Sequence, residues 1–116
     1  MIKMENYRLF DKTTQAIVFG FQQRAIQRML DFDYACERDN PSIVAIINPT
    51  GEGYHKCFYG PDEIILPIYT TIEKATKKHP QADVMVNFAS FRSAYPRTKE
   101  ALETDTIRTV AIIAEG

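Results

Sequence analysis

Apolar residues along this chain follow two different periods. Five short runs are rich in branched apolar residues and nearly free of polar ones, which is typical of strands buried on both faces of a sheet. The predicted strands cover residues 15–20, 42–48, 64–69, 83–87 and 108–114. Three other segments space their apolar residues as one face of a helix does. One predicted helix begins at Gln23, and the other two cover residues 71–80 and 96–103.

The order of these elements predicts the fold class. Strands and helices follow one another as β-α-β-β-α-β-α-β. Near-continuous apolar strands joined by helices form mostly parallel sheets that helices cover on both faces. We therefore expect an α/β domain with a Rossmann-like, doubly wound sheet of about five strands. Residues 50–60 are interrupted by glycines and are predicted to form a loop or a small hairpin.

The chain is predicted to hold one domain, residues 15–116, after a polar leader, residues 1–14. A length of 116 residues suffices for one hydrophobic core but not for two. The last predicted strand ends two residues before the end of the sequence, with no helix to cover the sheet beyond it. We therefore expect a piece of a longer polypeptide, with the domain truncated at its C-terminal end.

Charge and composition exclude several classes of partner. The 14 basic and 15 acidic residues give a net charge of −1, which leaves no basic excess for nucleic acid. No apolar run approaches the roughly 20 residues that span a bilayer, and the first residues lack the apolar stretch of a signal peptide. We expect a cytoplasmic protein with no membrane partner. Cys36 and Cys57 lack the spacing of metal ligands, so no metal is expected.

A ligand of such a sheet binds beyond the carboxyl ends of the strands, where the strand order reverses. The segments that follow strand ends are residues 20–25, 48–53, 87–95 and 114–116. The first of them, GFQQRA, matches the dinucleotide-binding pattern G-x-G-x-x-A except that Gln22 replaces the middle glycine. Gln22 obstructs the close approach of a pyrophosphate to the backbone, whereas the helix amides and Arg24 still offer an anion site.

The end of the second strand argues further against a dinucleotide. NAD-binding domains place an acidic residue there, about 20 residues after the glycine motif. This chain has Asn48 and Pro49 at that point. A nucleotide-like ligand other than a dinucleotide is therefore favoured. A turn that binds nothing remains the alternative.

Two later segments carry polar groups at the same predicted edge. Ser90, Arg92 and Ser93 combine a guanidinium with hydroxyls, which suits a phosphate or a carboxylate. Alternatively, Ser93 only caps a helix and Arg92 is solvated. Glu115 either accepts hydrogen bonds from a ligand or marks a turn. The two histidines have no motif partner for a triad or a metal site, so no catalytic residue is predicted.

Several long words of the sequence closely resemble ATP citrate lyase. They are AIVFGFQQRAIQRMLDFDY at 16–34, EIILPIY at 63–69, KHPQADV at 78–84, NFASFRSAY at 87–95 and IRTVAIIAEG at 107–116. The resemblance implies a CoA-binding domain from the succinyl-CoA-synthetase-alpha-like part of that enzyme. The whole enzyme makes acetyl-CoA and oxaloacetate from citrate and CoA, with ATP and Mg²⁺, through a phosphohistidine. Neither His55 nor His79 matches that histidine, so this chain alone is expected to be inactive.

The resemblance also implies site residues and partners. Carried over position by position, the CoA contacts are Gly20, Gln22, Gln23, Arg24, Ala25, Ser90, Arg92, Ser93, Ile113, Ala114 and Glu115. The chain departs from the wider acyl-CoA synthetases, which have further glycines in the first turn and a lysine where Gly51 stands here. The expected partners are CoA and the remaining domains or subunits of the lyase. The alternatives are a stand-alone regulator that binds a dinucleotide or CoA, and an assembly piece whose site another domain completes.

Overall fold

The computed structural model describes residues 13–113, except for the side chain of Phe91. Residues 1–12 of the predicted leader, and residues 114–116, lie outside this range. The strands are β1 (Ala16–Phe19), β2 (Ile43–Ile47), β3 (Gly53–Tyr59), β4 (Asp62–Tyr69), β5 (Val84–Asn87) and β6 (Thr109–Ile112). The helices are α1 (Gln23–Ala35), α2 (Ile72–Lys78) and α3 (Phe91–Leu102).

The six strands form one sheet in the order β3-β4-β2-β1-β5-β6. Every neighbouring pair is parallel except β3 and β4, which are antiparallel. From β1 the chain builds outward through β2 to the β3–β4 hairpin, and it then crosses back to place β5 on the other side of β1. This arrangement confirms the prediction of a Rossmann-like, mostly parallel sheet, and the strand order reverses between β1 and β5.

The helices cover opposite faces of the central strand β1. Val18 belongs to a buried cluster that contains Ile26 and Leu30 of α1. Ile17, the preceding residue, belongs to the cluster on the other face, which includes Ile72 of α2 and Ala101 of α3. Because both faces of β1 exclude water, the strand is apolar without alternation, as the sequence predicted. Among residues 13–113 no helix is long and apolar enough to span a membrane.

Strand β3 corrects the prediction of about five strands. Residues 50–60 contain a seven-residue strand that pairs along its whole length with β4. Its side chains alternate between buried and exposed, because only one face of it packs against the core. A strand at the edge of a sheet therefore lacks the continuous apolar run that marked the other strands. The glycines at its two ends, Gly53 and Gly60, made the segment resemble a loop.

Helix α3 corrects a second prediction. It begins at Phe91 rather than at Pro96, and the proline lies inside the helix. The N-cap is Ser90, whose carbonyl oxygen accepts the amide of Ser93 at 2.8 Å, so the alternative that Ser93 caps the helix is wrong. A proline removes one helical hydrogen bond, here the one to the carbonyl of Arg92, and α3 continues past it to Leu102. The other predicted elements agree with the structure to within two residues.

Helix α2 ends at a histidine that is tied to β4. Nε2 of His79 lies 3.0 Å from the hydroxyl of Tyr69, and the two rings meet edge to face. Partial burial lowers the pKa of His79 below its ordinary value of 6.5. The unfolded chain therefore binds a proton more readily than the folded one. The stability that this difference contributes is present above pH 6.5 and is lost as the pH falls below it.

We predict that the variant His79→Gln loses less stability than the wild-type chain between pH 7.5 and pH 5, because the substitution removes a group that binds protons preferentially in the unfolded state. Urea titrations at a series of pH values measure the free energy of unfolding of both proteins. Carboxylates titrate equally in both and cancel in the comparison. Parallel curves for the two proteins across this range would contradict the prediction.

Candidate functional site

A crevice opens at the carboxyl ends of β1 and β5, the point at which the strand order reverses. Its volume is about 400 Å³. The residues that line it are Gln22, Ala25, Phe88, Ala89, Ser90 and Ile113. They come from the β1–α1 turn, the β5–α3 loop and the end of β6, so three strand ends converge there. This is the place at which open α/β sheets bind their ligands.

A larger cavity, of about 560 Å³, lies between α2 and the end of α3. No strand end reaches it, and acidic residues outnumber basic ones in its lining. The acidic residues are Glu73, Glu100, Glu103 and Asp105, beside one cation, Lys77. Such a lining repels phosphates and carboxylates. The smaller crevice is therefore the better candidate for an anionic ligand.

The β1–α1 turn depends on the conformation of Gly20. Its φ angle is +108°, and its amide donates to the carbonyl oxygen of Ile47 at 2.9 Å. A Cβ atom at this position would lie 3.1 Å from the Cβ of Phe88. The turn after β1 and the loop after β5 therefore touch at Gly20. Both the backbone angle and this close approach favour glycine.

Two helices begin at the crevice with few partners for their first amides. Gln22 is the N-cap of α1 and Ser90 that of α3, and neither side chain caps its helix. The first turn of each helix contains no acidic residue. Both helix ends therefore carry the partial positive charge of free N–H groups. Arg24 and Arg92, both exposed, add a full charge to each end, and neither pairs with an acid among residues 13–113.

The site thus combines two uncapped helix ends at one crevice, each with an exposed arginine in its first turn, an arrangement suited to phosphates. The model of the CoA binding domain family matches residues 11–116. The chain belongs to the CoA-binding domain family.

This CoA-binding domain is similar to segments of much longer proteins. It is 53% identical, over 97% of its length, to ATP-citrate synthase beta chain protein 1 of Oryza sativa subsp. japonica, and covers 19% of that chain. It is 51% identical, over 93% of its length, to the ATP-citrate synthase of Homo sapiens, and covers 10% of it. The domain therefore spans a fifth or less of these two relatives.

A solved structure has the same fold. The ATP citrate lyase from Methanothrix soehngenii, in complex with citrate and coenzyme A, aligns with a TM-score of 0.92 and 63% sequence identity. The alignment covers 96% of the CoA-binding domain and 18% of the lyase chain. These values confirm both the predicted fold and the resemblance noted in the sequence.

The structure places the predicted site residues in three positions. Four of them line the crevice: Gln22, Ala25, Ser90 and Ile113. Four more surround it without lining it: Gly20 in the turn and Gln23, Arg24 and Arg92 on exposed positions of the two first helical turns. Ser93 is half-buried, with its Oγ 3.2 Å from the Oγ of Ser90. Ala114 and Glu115 lie outside the described residues, so their predicted contacts stay predictions.

The segment after β2 does not line the crevice. Oδ1 of Asn48 accepts the hydroxyl of Thr50 at 2.8 Å and its amide at 3.3 Å, which closes a local turn. The side chain that stands where an NAD-binding domain has its acid is therefore occupied with its own loop.

Asn87 is the residue that sequence reasoning missed. It is fully buried at the end of β5, and its Oδ1 accepts the amide of Ala89 at 2.9 Å. Its Nδ2 donates to the carbonyl of Ala94 at 3.2 Å and to Oγ1 of Thr98 at 3.1 Å. Its backbone oxygen accepts the amide of Ile113 at 2.9 Å. One residue thus ties together the loop, α3 and the end of β6, which form most of the crevice wall.

Both histidines have packing partners away from the crevice. His55 meets the ring of Phe21 edge to face, with centroids 4.9 Å apart, and burial lowers its pKa. His79 is bound to Tyr69, as described above. Neither lines the crevice.

We predict that Gly20→Ala lowers the free energy of unfolding by about 1–3 kcal/mol, because alanine must adopt a left-handed backbone angle and press against Phe88. The matched control is Gly51→Ala, where a Cβ would meet nothing within 4 Å. We expect the control to be neutral or up to about 1 kcal/mol more stable. Urea titrations measure both. Equal effects of the two substitutions would show that the Gly20 turn is not constrained.

Proposed function

We propose that this chain is the CoA-binding domain of an ATP citrate lyase and that it holds CoA at the crevice between β1 and β5. The observation that carries the proposal is the convergence of two helix N-termini on one crevice, each with an exposed arginine and without an acidic residue. Family membership and the likeness to a lyase solved in complex with citrate and coenzyme A support the same ligand.

The chemistry of CoA matches the two halves of the crevice. CoA carries a diphosphate and a further phosphate, joined to apolar and amide-bearing parts. In our proposal the amides of Gln23 and Ala25, together with Arg24, bind one phosphate group at the N-terminal end of α1. A second contact, at the N-terminal end of α3, is formed by Ser90, Arg92 and Ser93. These charges and hydrogen bonds orient the ligand along the crevice.

The remaining predicted contacts suit the uncharged parts of the ligand. Ala25 and Ile113 present apolar surface to the crevice, and the amide of Gln22 offers both a donor and an acceptor. The last predicted contacts, Ala114 and Glu115, follow Ile113 along the chain. We propose that this segment continues the wall of the site.

A stand-alone dinucleotide-binding module is the alternative. Two observations weigh against it. Gln22 occupies the crevice wall at the position where the dinucleotide motif needs a glycine. Asn48, at the end of β2, is bound to Thr50 instead of offering an acid to a ribose. Both features leave a phosphate site but remove the groups that favour NAD.

In the proposed enzyme this domain binds and orients CoA, and the cleavage of citrate belongs to the whole protein. ATP and Mg²⁺ act elsewhere in that protein, and no catalytic residue is assigned to this chain. The partners are CoA and the other domains or subunits of the lyase, which account for the greater part of the relatives' length. A cytoplasmic location and the lack of nucleic-acid and membrane partners remain predictions from the sequence.

We predict that the 116-residue chain binds CoA in a calorimetric titration, more tightly than NAD. The variant Arg24→Ala should weaken CoA binding about tenfold, because it removes a charged partner of a phosphate. The matched control is Arg28→Ala, one turn further along the exposed side of α1, which should change the affinity less than twofold.

The other possible results of the titration distinguish the alternative functions. Tighter binding of NAD than of CoA would support the dinucleotide-binding alternative. No heat with either ligand, from a folded and monodisperse sample, would contradict an independent CoA site and would indicate a site that another domain completes.

A further inference from the structure

Among the described residues, the β3–β4 hairpin has one face that no other element covers, and this face carries several exposed apolar side chains. We call it the hairpin face; its residues are Tyr54, Lys56, Phe58, Glu63, Ile65 and Pro67. They form three cross-strand pairs: Tyr54 with Pro67, Lys56 with Ile65, and Phe58 with Glu63. Tyr54 is 77% exposed, Ile65 56% and Phe58 52%. Contiguous exposed apolar side chains of this kind mark interaction surfaces.

The hairpin face is exposed because α2 is too short to cover it. The opposite side of the hairpin is buried in the core, where Cys57 and Leu66 join the cluster beneath α1. Helix α2, which packs on the same side of the sheet as the hairpin face, has only seven residues. Its Ile72 packs in the cluster built around the central strands. Within residues 13–113, the side chains of β3 on that side therefore have no helix above them.

The outer edge of β3 is protected against the addition of another strand. The amide group of Gln27 pairs with the backbone of Phe58: Nε2 donates to its carbonyl oxygen at 2.8 Å, and Oε1 accepts its N–H at 3.0 Å. Lys56 adds a charge to the same edge strand. A partner is therefore expected to pack on the face of the hairpin, through side chains, and not to extend the sheet.

We propose that the hairpin face is the surface on which another domain of the same longer polypeptide packs, through an apolar surface of its own. This inference rests on the proposed function, in which the chain is one domain of a lyase. The relatives are long enough to contain such a domain, since the matches cover only 19% and 10% of their chains.

The size of the face favours a linked domain over a second copy of this chain. Its three exposed apolar side chains offer roughly 300–400 Å². Separate proteins need about 800 Å² from each partner to form a stable complex. A domain on the same polypeptide is held at a high effective concentration, so a smaller contact suffices.

The test replaces the matching segment of the Methanothrix soehngenii ATP citrate lyase with this chain, which is 63% identical to it. Hydroxyl-radical footprinting then compares the oxidation of Tyr54, Phe58 and Ile65 in the chimera and in the 116-residue chain. We expect oxidation of these side chains to fall at least threefold in the chimera. Equal oxidation in a chimera that cleaves citrate would overturn the inference and leave the proposed function standing.

Two substitutions provide a second readout. Ile65→Lys should leave the melting temperature of the 116-residue chain unchanged, because its side chain is exposed there, and should lower that of the chimera by several degrees. Phe32→Lys, on α1 and 69% exposed, is the matched control and should alter neither. An equally small effect of Ile65→Lys in both proteins would overturn the inference. A chimera with the unsubstituted segment that does not cleave citrate would count against the proposed function, and the inference would fall with it.

Discussion

Strand β1 is buried on both of its faces and paired on both of its edges. Its odd and even side chains enter two separate hydrophobic clusters, one beneath α1 and one beneath α2 and α3. Its neighbours β2 and β5 are both parallel to it. Parallel strands must be connected by crossovers, so their carboxyl ends and the helices that follow them lie at one edge of the sheet. The position of the crevice follows from this constraint on β1.

The electrostatic character of the crevice follows from the same geometry. Helices α1 and α3 pack on opposite faces of the sheet, yet each begins directly after β1 or β5, so both N-termini reach the point where these strands end. Gly20 lets the first turn approach Phe88 closely, and buried Asn87 holds the second loop against α3 and β6. Neither helix places an acid in its first turn. The fold and two arginines therefore supply the groups to which we assign phosphate binding.

Most of the fold could be predicted because strands buried on both faces leave an unmistakable apolar run. Strand β3 was not predicted, because an edge strand with exposed Tyr54 and Lys56 has no such run. The start of α3 was predicted wrongly because Pro96 was assigned to the first turn of the helix. In the structure the proline lies in the second turn. The strand ends predicted where the crevice lies, but Asn87 could not be found in this way. Its partners belong to the helix that follows, and only the folded chain brings them within hydrogen-bond distance.

We propose that CoA binds between the N-termini of α1 and α3. The most direct test is a titration of the ¹⁵N-labelled chain with CoA, followed by NMR. We expect the largest amide shifts at residues 23–25, at residues 90–93 and at Ile113. Shifts that cluster instead around Thr76 and Thr104, in the acidic cavity between α2 and α3, would contradict the account.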